Sequence, residues 1–207
     1  KIADFNADGY SDLLVVAPDY DCHKRHGKVK LHASSKSRNQ SRIIFGDGSG
    51  KFFNRQGNKF IEFGNQQMEN GEDILLCEMP TAVIADVDKD GDLDIIGNTI
   101  GYLYVGGYFQ IFLNDGSGNF SHGQQIVAQK PNVHYSLDNW PDHEARHNSQ
   151  GYCFTIHTID LNDDGYIDFM CDGGFMQPVD GKVFVNKGDG SYKESPPWII
   201  NKYATTF

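Results

Sequence analysis

No apolar run in this chain approaches the ~18 residues that a membrane-spanning helix needs, so membrane insertion is excluded for helices. Basic residues are in deficit: 18 Lys and Arg stand against 28 Asp and Glu, a net charge of -10. That balance speaks against a nucleic-acid partner, whose phosphates call for a basic face. No stretch sustains a helical period over three turns. The chain also lacks the low apolar content of a disordered one, since 39% of its 207 residues are hydrophobic, which suits one packed domain. It opens on Lys1, with neither Met nor a charged-then-apolar leader, and is expected to be a processed or excised piece of a longer product.

What is present is repetition. Residues 4–12 read Asp-Phe-Asn-Ala-Asp-Gly-Tyr-Ser-Asp, residues 86–94 Asp-Val-Asp-Lys-Asp-Gly-Asp-Leu-Asp, and residues 160–168 Asp-Leu-Asn-Asp-Asp-Gly-Tyr-Ile-Asp. All three fit D-x-[DN]-x-D-G-x-x-D, and each is followed by a glycine-rich element: Gly46-Asp47-Gly48-Ser49-Gly50, Asn114-Asp115-Gly116-Ser117-Gly118 and Asn186-Lys187-Gly188-Asp189-Gly190. An aromatic residue stands two positions after each last glycine, at Phe52, Phe120 and Tyr192. Short branched or aromatic runs (43–45, 111–113 and 183–185) lead into the glycine elements, which therefore read as hairpins. Residues 13–16, 95–96 and 169–170 read as buried strand. The class expected is all-β, built from three copies of one unit.

The aspartate loops have the chemistry of a hard-cation site. Oxygens at positions 1, 3, 5, 7 and 9 of a tight loop surround a divalent ion, with glycine at position 6 for the sharp turn. These positions are Asp4, Asn6, Asp8, the Tyr10 carbonyl and Asp12 in the first loop. They are Asp86, Asp88, Asp90, the Asp92 carbonyl and Asp94 in the second, and Asp160, Asn162, Asp164, the Tyr166 carbonyl and Asp168 in the third. Oxygen-only ligation points to calcium, up to three ions. A helix-flanked calcium hand would close with a carboxylate at position 12, where this chain has Val15, Gly97 and Cys171. A plain Asp-Gly turn is the competing reading for one loop. Three copies, each crowding carboxylates around one turn, favour the cation. Twelve of the 28 acids lie in these loops, so much of the acidity is ligand sphere rather than a signal for a basic partner.

On these three loops and three hairpins the chain resembles the FG-GAP/VCBS repeat family, which includes the propeller domains of integrin alpha subunits and certain lectins. The resemblance implies a β-propeller with blades of four antiparallel strands and calcium between the first two strands of each blade. It implies metal that serves stability and ligand display, and a non-catalytic role in adhesion or in binding a protein or glycan. That family is functionally broad, so the fold is better determined than the function.

Three blades do not close a ring, since propellers have roughly four to eight. The repeats fall at about 1–80, 81–152 and 153–207 of a single segment 1–207, with insertions at 19–42 and 121–152. Alternating strands, Thr81–Ala85 and Thr155–Ile159, feed the second and third loops, whereas only Lys1-Ile2-Ala3 precedes the first. Joined to Lys1, the tail Thr206-Phe207 would restore that strand, so one expectation is a structural subunit that assembles head to tail with other copies of itself by sharing a terminal strand. The other is a longer propeller cut at arbitrary points.

Four cysteines and calcium loops suit an extracellular or cell-surface protein with disulfides. Cys153 with Cys171 is the favoured pairing, leaving Cys22 and Cys77; four buried thiols are the alternative. Sequons occur at Asn39 and Asn119. His143-Glu144-Ala145-Arg146-His147 matches H-E-x-x-H, which suggests a zinc hydrolase. Yet the segment has almost no apolar residues to bury and lacks a third ligand at the usual spacing, so an exposed polar loop is the default and the protein is not expected to be an enzyme. Tyr135, Trp140, His143 and His147 are candidate ligand-binding residues, an aromatic beside planar polar groups being suited to a glycan or peptide. Trp140 anchoring its loop in a crevice is the structural alternative. Seven bases between Lys24 and Arg42 offer a patch for acidic glycans, or simply a solvated loop.

Overall fold

The computed structural model describes residues 1–16, 41–50, 52, 59–60, 66–67, 73–74, 76–101, 107–129, 153, 155–172 and 181–195. Among them there are strands and turns and no helix. Sheet 1 comprises β1 (Ile2–Ala3), β2 (Asp12–Val15), β3 (Arg42–Ile44) and β4 (Lys59–Phe60), in that order. A two-stranded ribbon, β5 (Gln66–Gln67) with β6 (Asp73–Ile74), follows. Sheet 2 comprises β7 (Leu76–Ala85), β8 (Asp94–Gly101), β9 (Gly107–Asn114) and β10 (Phe120–Gln129). Sheet 3 comprises β11 (Thr155–Ile159), β12 (Asp168–Asp172), β13 (Val183–Asn186) and β14 (Tyr192–Ser195). All pairings are antiparallel between neighbours in sequence, so the expected all-β class and three four-stranded units are present.

Residues 121–129, which the sequence reading assigns to the start of an insertion at 121–152, form most of β10. Their alternation is broken by a register shift between His122 and Gln125, which hides the strand from a period-two reading. Arg42, the last residue of the expected 19–42 insertion and the last of its seven bases, opens β3 instead. The other features assigned to insertions and tail lie outside the described residues: 17–40 with its six bases and Asn39, the 130–152 segment with Tyr135, Trp140, His143 and His147, Cys22, and 196–207.

Packing follows from which face each strand buries. In sheet 1, Leu14 and Ile43 face Ala82, Ile95 and Phe112 of sheet 2, with Phe5 and Phe120 in edge contact at 5.8 Å. The opposite face of sheet 2, with Ile96, Phe109 and Ile111, packs on Ile156, Phe169 and Phe184 of sheet 3. Being covered on both sides, β9 is buried along almost its whole length and reads as a near-continuous apolar run. Phe109 lies 4.9 Å from Phe169 and 5.2 Å from Phe184, while those two stack at 4.7 Å. Each such pair contributes about 0.5–1.5 kcal/mol beyond its buried area. The expected disulfide is present: Cys153 and Cys171, Cα atoms 5.7 Å apart, tie the approach to β11 onto β12.

Candidate metal centre

Each aspartate loop joins the first and second strands of its sheet, and the three adopt one backbone shape. Glycine at position 6 is left-handed in all three, with φ of 85° at Gly9, 97° at Gly91 and 82° at Gly165. Position 4 is left-handed too, although it carries side chains: Ala7 at 56°, Lys89 at 63° and Asp163 at 59°. A sequence reading has no reason to expect this of alanine or lysine, for which the region is unfavourable.

The local bonds explain the shape. The position-1 carboxylate accepts from the position-6 amide: Asp4 from Gly9 at 2.8 Å, Asp86 from Gly91 at 3.1 Å, Asp160 from Gly165 at 2.7 Å. The position-5 carboxylate accepts from the position-7 amide: Asp8 from Tyr10, Asp90 from Asp92, Asp164 from Tyr166. At position 7 the side chain lies over its own hairpin glycine, Tyr10 on Gly48, Asp92 on Gly116 and Tyr166 on Gly188.

Position 9 does more than ligation requires. Asp12 accepts from the Phe5 and Gly46 amides at 2.8 and 2.9 Å, Asp94 from Val87 and Asn114 at 2.8 and 2.9 Å, and Asp168 from Leu161 and Asn186 at 2.9 and 2.8 Å. Each is fully buried and brackets position 2 of its loop to the end of its third strand. A carboxylate oxygen has two lone pairs, so these bonds leave capacity for an ion.

The loops diverge at position 3. Asn6 and Asn162 donate to Asp8 and Asp164, 2.9 and 2.8 Å away, and close the first and third loops on themselves. Asp88 has no proton to donate. One oxygen each of Asp86, Asp88 and Asp94 lies within 4.8 Å of the others, a carboxylate triad whose middle position is taken by an asparagine in the other two loops. Asp86 Oδ1 is buried there without a hydrogen-bond partner. Burial, opposed by the Asn114 and Val87 amides and reinforced by Asp88 and Asp90, pushes the Asp94 carboxyl up to about 6. Burial likewise raises Asp88, Asp12 and Asp168, and burial together with Asp90, Asp115 and Asp86 raises Asp92. An orphaned buried oxygen amid converging carboxylates fits a hard divalent cation, which would supply the missing positive charge. Lys89, the basic residue of this loop, points away, with Nζ 4.0 Å from the Tyr166 ring centre.

The sequence reading missed two residues that fix the loops relative to one another. Asn114 donates from Nδ2 to the Phe5 carbonyl at 2.8 Å, and Asn186 to the Val87 carbonyl at 2.7 Å, each reaching position 2 of the preceding loop. Their signal was the shared asparagine that opens the second and third hairpin elements. Comparison with models of known protein families, with curated proteins and with solved structures yields no match.

Proposed function

We propose that this chain is a calcium-binding, propeller-type repeat module of an extracellular or surface protein, which presents a surface for a protein or glycan ligand without catalysis. The observation that carries the metal part is the Asp86, Asp88 and Asp94 convergence with its unpartnered buried oxygen. The second loop, with carboxylates at positions 1, 3, 5 and 9, is the strongest site. The first and third, matching it in backbone shape, take further ions more weakly, because affinity rises with ligand charge. The disulfide and the absence, among the described residues, of a helix long and apolar enough to cross a membrane are compatible with a secreted setting. Resemblance to the FG-GAP/VCBS repeats supports binding as the role, with Tyr135 and Trp140 as the residues to probe for glycan contact.

The test is calorimetric titration of chelator-treated protein with calcium, alongside Asp86→Ala and with magnesium and zinc as comparison ions. Calcium binding that Asp86→Ala abolishes at the tightest site is expected. Absence of calcium binding, with melting indifferent to chelator, would overturn the reading. A zinc-dependent hydrolase would instead bind zinc tightly and lose activity in Glu144→Ala.

A further inference from the structure

A bonded path runs between successive aspartate loops. In the first loop the Phe5 amide donates to Asp12 at 2.8 Å, and the Phe5 carbonyl accepts from the Asn114 side chain at 2.8 Å. Asn114 in turn donates its main-chain amide to Asp94, position 9 of the second loop, at 2.9 Å. The pattern then repeats. The Val87 amide donates to Asp94 at 2.8 Å, the Val87 carbonyl accepts from the Asn186 side chain at 2.7 Å, and the Asn186 amide donates to Asp168, position 9 of the third loop, at 2.8 Å. Only a position-2 residue and a hairpin asparagine separate each position-9 carboxylate from the next.

Every residue on this path is buried, so bulk water does not compete for its bonds and a shift in one partner is passed to the next. A second contact follows the same route. Gly190, the last glycine of the third hairpin element, lies so close to the second loop that a Cβ there would stand 3.2 Å from the Asp88 Cβ. Gly118 of the second hairpin element stands, by the same measure, 3.6 Å from the Asn6 Cβ in the first loop. Asn6 and Asp88 are both position 3. Each of these hairpins thus holds position 9 of its own sheet's loop and touches positions 2 and 3 of the preceding one.

We infer that Asn114 and Asn186 are positioning residues that couple the three loops, so that calcium in one strengthens binding in the next, a role that rests on the calcium binding proposed above. Without an ion the carboxylates of a loop repel one another. An ion draws them into one arrangement and so fixes position 2, which is bonded to position 9 of the same loop. The asparagine anchored on position 2 then holds the neighbouring position-9 carboxylate in place, and the neighbouring ion has less disorder to remove. Coupling of this kind acts equally in both directions. The second loop, richest in ligand carboxylates, is joined to both others, and filling it primes the first and the third.

The test is a calcium titration of the whole chelator-treated chain by nuclear magnetic resonance. It follows the amides of Gly9, Gly91 and Gly165, each of which donates to the position-1 carboxylate of its own loop. Asp86→Ala, which disables the second loop, is expected to raise the calcium concentration that half-fills the first and third loops about fivefold or more. Asn114→Ala, added to chains with and without Asp86→Ala, is expected to remove that effect at Gly9 and keep it at Gly165; Asn186→Ala is expected to do the reverse. Neither asparagine carries charge, and the junction left intact shows that the variant is folded. A selective loss therefore reports coupling rather than lower stability or the field of the missing aspartate. First and third loops indifferent to Asp86→Ala, or effects that survive both asparagine substitutions, would overturn the coupling and leave calcium binding standing. No calcium response at any of the three glycines would overturn the calcium reading itself, and the coupling with it.

Discussion

Asn186 donates from Nδ2 to the main-chain carbonyl of Val87, 2.7 Å away and 99 residues earlier in the chain. The same side chain also reaches the Ile167 carbonyl, at 3.3 Å, and accepts from the Gly188 amide, at 2.9 Å, so one 3% exposed amide joins hairpin, strand end and neighbouring loop. Asn186→Ala takes this donor from the buried Val87 carbonyl, while the Ile167 carbonyl keeps the Tyr192 hydroxyl at 2.9 Å, and is expected to lower stability by about 1–3 kcal/mol. Asn114→Ala, which frees the Phe5 carbonyl, is expected to cost a similar amount. Urea unfolding measures both, with the exposed Lys193→Ala as a control that should stay within about 0.5 kcal/mol of wild type.

Asp88→Asn tests what sets the second loop apart. It makes position 3 the same as in the other two loops, where asparagine donates to the position-5 carboxylate. Calcium affinity at the tightest site is expected to fall by roughly tenfold, about 1.4 kcal/mol. The chelated protein is expected to melt higher, because one carboxylate is gone and a donor has been added. Unchanged affinity would show that position 3 is not a ligand.

Protonation gives a third outcome. In the absence of metal, the Asp94 carboxyl is raised by burial from 3.8 to about 6, and Asp12 and Asp168 are raised for the same reason. The folded form then holds protons more tightly than the unfolded one, so this contribution is full below about pH 4 and is lost as pH rises through about 6. Melting in chelator is expected to fall across that window. Calcium, which stabilises the ionised carboxylates, is expected to abolish the fall. A chelated melting temperature that rises over the same range contradicts the assignment.

Ala7 is left-handed at φ 56°, a conformation that costs a non-glycine residue about 1–2 kcal/mol. Ala7→Gly is expected to raise stability by a few tenths to about 1 kcal/mol, the gain being reduced by the greater freedom of glycine in the unfolded chain. Gly9→Ala, at φ 85°, is expected to lower it by about 1 kcal/mol or more. Paired melting curves decide between these signs.

The legibility of the sequence differed by feature. The loops were visible because turn chemistry is local: aspartates at alternate positions and a glycine at position 6 are read within nine residues. The dual bonding of Asp12, Asp94 and Asp168 was not visible, since the Gly46, Asn114 and Asn186 amides they accept from lie 34, 20 and 18 residues on. Residues 121–129 were hidden as strand by a bulge, and Gln124 within it bonds both the amide and the carbonyl of Tyr192 in the next sheet. No spacing rule announces such a contact.

By itself the sequence determined the all-β class, the threefold repeat and the location of the aspartate loops, and it favoured the Cys153–Cys171 pairing that the structure then showed. These follow from residue types acting over short distances or from a pattern repeated often enough to exceed chance. Tertiary structure alone decided that Asp12, Asp94 and Asp168 each bind two distant backbone amides, and that Asn114 and Asn186 join successive sheets. Those outcomes depend on groups brought together across long stretches of chain, where burial, rather than local propensity, determines which polar atoms find partners.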